Sequence, residues 1–229
     1  EWAKQFRRNY CSDDELKEMI VKMHISSREY LKNFKLPSDR RIGLSTMSGD
    51  FGEILVSDYL QYIEEYTVPR TRYDNKVNKD TSTQGSDVLG YKKDSLNAAN
   101  DEVVVIEVKS SASNSSSSKA KSKLQEAVDH SDKDFERLSS SIVASYLRLK
   151  KSNIEQANVV ERFLNKTDNP FNVIYGAVAV HSNQSYDVDV IKTVASKKHR
   201  DYQKLRLLVI HSDELMKFIR ELYLKASEV

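Results

Sequence analysis

The apolar positions change period several times along the chain, and each change marks an element. Leu16, Met19, Ile20 and Met23 recur at helical intervals behind Ser12-Asp13-Asp14-Glu15. That tetrad has the spacing of a capping box, in which serine and glutamate side chains satisfy the free N–H groups of a first turn. Ser26 to Glu29 repeats the signal for a shorter helix towards Phe34, which Pro37 closes. Residues 1–40 therefore read as a helical lead-in to a main domain over 41–229. In "STMSGDFGEILVSDYLQYIEEY" (45–66) the positions of Phe51, Leu55, Tyr59, Tyr62 and Tyr66 make an apolar stripe, which Ile54, Val56, Leu60 and Ile63 widen. The spacing predicts a long, largely buried helix capped by Ser48 or Asp50.

The pattern then changes to short apolar runs. "TVPRTRY" (67–73), "SDVLGYK" (86–92) and "EVVVIEV" (102–108) are expected to be strands, separated by turn formers such as Asn78, Asp80, Gly85, Asn97 and Asn100. "SSASNSSSSKAKSK" (110–123) is the one low-complexity segment, read as a loop grading into a helix. Helical spacing resumes from Leu124 to about residue 151, with a break near Ser131, and again over 153–166. "FNVIYGAVAVH" (171–181) has the run of a central strand, 187–198 is weakly helical, "LRLLVIH" (205–211) is a last strand, and Ser212 opens a closing helix through Leu224. No internal repeat is evident. This order predicts an α/β fold: a mixed central sheet flanked by helices on both faces.

Composition narrows the function. With 229 residues and 39% hydrophobic side chains the chain can bury a sizeable core. A formal net charge of +2 gives no whole-molecule basic field, so any nucleic-acid contact must come from local patches. Cys11 is the single cysteine, which excludes a disulfide framework and a cysteine-based zinc site. No apolar stretch nears the roughly 18 residues of a membrane span, and no signal-peptide pattern opens the chain. A cytoplasmic protein without membrane contact is expected. No phosphate-cradling P-loop and no G-x-S-x-G elbow is present, and no small-molecule cofactor is expected.

The candidate chemistry lies where an apolar run carries charges. Val103 to Val108 is interrupted only by Glu107, and Lys109 follows two residues later. In a strand, residues i and i+2 point to one side, so Glu107 and Lys109 project together from the strand's end. Asp87 opens the preceding strand candidate; if the two strands are antiparallel neighbours, its carboxylate comes beside Glu107. Two such carboxylates repel unless one is protonated or a cation lies between them. A hard divalent ion fits that position, Mg²⁺ first and Mn²⁺ as the alternative, with the Val108 carbonyl as a third oxygen ligand. Lys109 would then sit beside an attacking water, the set that metal-assisted phosphodiester hydrolysis requires.

Asp87 followed by Glu107-Val108-Lys109 at the end of an apolar strand, behind a helix carrying Glu53, resembles the PD-(D/E)xK nuclease superfamily. The resemblance implies a restriction-endonuclease-like αβββαβ core. It makes Asp87 and Glu107 metal ligands and Lys109 the catalytic lysine. Glu53 would match the acid that many members carry on the first core helix, as a further catalytic residue and metal ligand. Ser86 stands where the superfamily's name motif has proline. Within this group the chain resembles the HamA nucleases of Hachiman anti-phage defence. Gly49 to Glu53 would be the "GDFGE"-like helix, Lys76 with Gly85 to Asp87 the "K…G-x-D" segment, and Glu107 to Lys109 the "E-x-K" strand. That resemblance implies DNA as substrate and a HamB-like helicase as restraining partner.

Blander readings exist for each feature. Glu15-Leu16-Lys17 is an E-x-K on a predicted helix, a solvated surface pair, and Asp74-Asn75-Lys76 imitates the motif in a turn. Glu107 and Lys109 alone could be a strand-end ion pair, worth about 0–1 kcal/mol if exposed. Glu53 could equally be a helix-surface acid. Lys119, Lys121 and Lys123 could contact phosphates or simply be solvated, and "SKKHR" (196–200) is a second basic run, read as a solvated helix end before a DNA or partner contact. His24, His130, His181, His199 and His211 show no metal-ligand spacing. The alternative function is a nuclease-like fold that has lost catalysis and binds DNA or a helicase.

Overall fold

The structure is a computed structural model that describes residues 1–74, 76–83, 85–94, 96–112 and 117–229, the side chains of 117–120 excepted. Helices α1 (Trp2–Arg8), α2 (Asp13–Met23) and α3 (Ser27–Tyr30) lead into α4 (Arg41–Tyr62). Strands β1 (Val88–Lys92) and β2 (Glu102–Ser111) follow, then α5 (Ser117–Ser131), α6 (Asp134–Ser152) and α7 (Ile154–Glu161). The chain ends with β3 (Asn172–Ser182), α8 (Val188–Ile191), β4 (Arg206–Ser212) and α9 (Leu215–Ala226). The sheet runs β1-β2-β3-β4, antiparallel between β1 and β2 and parallel thereafter. This is the mixed α/β sheet with flanking helices that the apolar pattern predicts.

Side-chain alternation along β2 decides what each face of the sheet meets. Val104, Ile106 and Val108 pack in one core with Phe51, Ile54 and Leu60 of α4 and Ile219 and Leu222 of α9. Phe6, Tyr10, Leu31 and Leu36 from the first forty residues belong to that same core. Val103 and Val105 face the other way, into a core with Leu138, Ile142 and Leu149 of α6 and Val160 of α7. Glu107 and Lys109 share their parity and so turn towards α5 and α6. Each buried valine is worth about 1.5–3 kcal/mol of transfer free energy, so the register of β2 is firmly held.

Several sequence expectations need correction. Among the described residues, 67–73 form no strand and only Thr67 pairs, in an isolated antiparallel bridge to Tyr91. Pro69 cannot donate a ladder hydrogen bond, and the segment beyond it turns into a loop that carries Arg72 under the sheet edge. Helix α4 begins at Arg41, so Ser48 and Asp50 are not caps but buried mid-helix residues. The stripe fails at Tyr62, which is exposed, because α4 is buried on two sides, by the sheet and by α1 and α9, rather than along one stripe. Residues 187–198 are helical only over α8, and α9 starts at Leu215 behind Glu214 rather than at Ser212. The break near Ser131 is present between α5 and α6. Of the Ser/Lys segment, residues 113–116 lie outside the described residues.

Candidate active site

Register builds the site. Val88 pairs with Ile106, so Asp87, one residue before β1, falls opposite Glu107 on the same face of the sheet. Asp87 Oδ2 accepts the Val108 N–H at 2.9 Å. N–H and C=O of one strand residue point to the same side, so the Val108 carbonyl opens towards Asp87 as well. Glu107 is 4% exposed. Its Oε1 accepts from Lys109 Nζ and lies 3.4 Å from His130 Nδ1. Glu53, Asp87, Glu107, Val108, Lys109 and Lys123 all line one cleft of about 960 Å³, bounded across by Arg137 and Ser141 of α6.

Helix α4 reaches this cleft because Gly52 lets it approach the sheet. A Cβ at Gly52 would stand 3.3 Å from Val108 Cγ1 and 3.4 Å from Ser110 Cβ, tighter than ordinary contact. One residue on, Glu53 meets Arg72: Nε lies 2.8 Å from Glu53 Oε2, and Nη2 donates to Asp87 Oδ1 at 2.9 Å. Tyr73 also donates to Glu53. Arg72 thus stands between the two acids, and its Nη1 and Nη2 hold the carbonyls of Ser86 and Thr83. Among the described residues no set of three or more His, Cys, Asp or Glu side chains converges as a metal shell. Asp87, Glu107 and Val108 line the same cleft.

The electrostatics follow from this crowding. Burial raises the Asp87 carboxyl above its usual range; Arg72 opposes that and the charge of Glu107 adds to it. Burial, then Asp87, pushes Glu53 up to about 8. For Lys109, burial disfavours the ammonium, but its hydrogen bond to Glu107 and the surrounding carboxylates outweigh that and raise its pKa. Lys109 is therefore a charged hydrogen-bond donor rather than a base at neutral pH.

Two further networks were not legible as such. Asp50 and Lys76, both 4% exposed, pair at 2.5 Å, and Asp50 also accepts from Tyr10, whose hydroxyl is 2.5 Å from that of Tyr223. These two "motif" positions hold the loop after α4 against the core; they do not line the cleft. Asp134, 0% exposed, accepts from Ser86 Oγ at 2.9 Å, and burial raises its carboxyl to about 6. Arg72 is the residue whose importance the sequence hid, because 67–73 reads there as a strand. Of the lysine candidates, Lys123 pairs with Glu126 at 2.7 Å at the cleft's rim. Lys121 is half-buried in α5, and the Lys119 side chain lies outside the described residues. His181 is fully buried in β3, where burial lowers it to about 4, and His211 lies exposed on β4.

Fold and cleft together define an α/β protein with a paired acid-and-lysine site at one end of a mixed sheet. The chain belongs to the HamA family, whose sequence model matches residues 1–226. Membership makes it a component of Hachiman anti-phage defence. No curated protein matches the chain. None of its described helices is long and apolar enough to cross a membrane.

Proposed function

We propose that this protein is a metal-dependent deoxyribonuclease, the effector of its defence system, and that the cleft at Asp87, Glu107 and Lys109 is its active site. The observation that carries this reading is the register: two carboxylates face each other across adjacent strands, with a charged lysine two residues beyond one of them. Asp87, Glu107 and the Val108 carbonyl would hold Mg²⁺ or Mn²⁺, with Glu53 as the outer acid behind Arg72. An all-oxygen set of two carboxylates and a carbonyl suits a hard ion that keeps several waters. When bound, that ion would neutralise the charge developing on the phosphoryl oxygens and favour an ionised water.

The chain's own residues supply the rest. Lys109 Nζ, held in place by Glu107, is positioned to donate to a phosphate oxygen or to the attacking water and orient it. Arg137, exposed at the far wall, and Lys123 can meet the flanking phosphates. A HamB-like helicase is the partner expected to restrain the cleft. Localisation in the cytoplasm, where phage DNA is met, fits this role.

Cleavage of supercoiled plasmid in Mg²⁺ tests the assignment. Glu107→Ala and Lys109→Ala should each lose at least about 100-fold in rate, the scale of removing one positioned electrostatic or acid–base group. Cutting by both variants at the parent's rate would exclude the site. A second reading, a cleft that binds DNA without cutting it, draws on the engagement of Asp87 by Arg72 and of Glu107 by Lys109. DNA retention with no divalent-dependent cleavage by the parent would favour it.

A further inference from the structure

Asp87 is delivered to the cleft by the short stretch Gly85-Ser86. Gly85 has φ +104°, a backbone conformation that L side chains rarely adopt, and Ser86 follows without the proline ring that fixes φ at the matching position of the nuclease motif. Yet Ser86 is 8% exposed and fastened on two sides. Its carbonyl accepts from Arg72, and its hydroxyl donates to Asp134 Oδ1 at 2.9 Å, with Ser141 Oγ 3.2 Å away. Asp134 is the first residue of α6, where a carboxylate is favoured by the helix N-terminus. It is 0% exposed, and its Oδ2 has no hydrogen-bond partner among the described residues. A buried carboxyl with one oxygen unsatisfied is expensive to keep, and the bond it does make is to the residue beside Asp87.

The geometry points to Asp134 and Ser86 as positioning residues: their hydrogen bond ties the Asp87 turn to α6 and fixes the Asp87 carboxylate opposite Glu107. The bond does the work that a proline ring would do, from outside the backbone rather than within it. It also makes α6, which forms the far wall of the cleft through Arg137 and Ser141, one rigid piece with the acid pair. This rests on the proposed metal site, since Asp87 matters here as a ligand.

Calorimetric titration of the full chain with Mn²⁺ tests the tether without using activity. The variants are Ser86→Ala, Asp134→Ala and Asp134→Asn, with Asp87→Asn as control, each with its melting temperature. Ser86→Ala and Asp134→Ala should bind Mn²⁺ about 10-fold more weakly, as loss of a group that orients a ligand does. Asp134→Asn keeps an acceptor oxygen for Ser86 and should bind close to the parent. A merely structural Asp134 would not give that split between Ala and Asn in affinity. Should Asp134→Ala not fold, Ser86→Ala removes the same hydrogen bond and decides alone. Parent-like affinity in Ser86→Ala, or Asp134→Asn weakened with the Ser86→Ala affinity intact, overturns the tether while leaving the metal site standing. Parent-like affinity in Asp87→Asn instead overturns the metal reading, and the tether with it.

Discussion

Glu107 and Lys109 differ from every other E-x-K in the chain in burial and company. Lys17 is exposed on α2 while half-buried Glu15 pairs with Lys35 and Tyr30 instead, whereas Glu107 is 4% exposed and shares a face with Asp87. That much was legible, because period-2 alternation and an apolar run fix where a strand's side chains point. Arg72 was not legible, since its role depends on a loop path that no local pattern encodes. Asp134 was hidden too, as an acid in a first helical turn has an ordinary capping explanation. Its protonation gives a test at this scale. Burial raises Asp134 from 3.8 to about 6, so the folded state holds a proton that the unfolded chain releases in that window. Its contribution to stability is full below about 3.8 and lost as pH rises through 6. Between these pH values the melting temperature of the metal-free parent should fall relative to that of Asp134→Asn; equal slopes would contradict the shift.

Element by element, α4 and the loop after it do more than cover the sheet. Asp50 and Glu53, three residues apart on one helix, engage Lys76 and Arg72 in that loop, so helix and loop are locked by one buried and one half-buried pair. Lys76→Met leaves Asp50 buried without its cation and should cost about 3–5 kcal/mol in urea unfolding, while Asp50→Asn combined with Lys76→Met should recover part of the loss. Gly52 is the point of closest approach to β2, and Gly52→Val should overpack the Val108 and Ser110 contact at a cost of about 1–3 kcal/mol. A variant as stable as the parent would show that α4 rests less closely on the sheet than a 3.3 Å approach to Val108 requires. The apolar periodicity located α4 and its extensive burial but not its start at Arg41, which precedes the first residue of the stripe by ten positions.

For the whole molecule, a net charge of +2 leaves little long-range attraction for DNA, so under the proposed function affinity would come from the few cations at the cleft and from a partner. The sheet order and the crossing of α5 to α7 between β2 and β3 put those cations and the acid pair at one end of the fold. The central claim is that Asp87 and Glu107 jointly hold one divalent ion. Anomalous diffraction from crystals soaked in Mn²⁺ measures this most directly. A single peak about 2.1 Å from an oxygen of each carboxylate, with Arg72 drawn off Asp87, is the predicted result. No peak there, with Asp87 still on Arg72 and Glu107 still on Lys109, would contradict it.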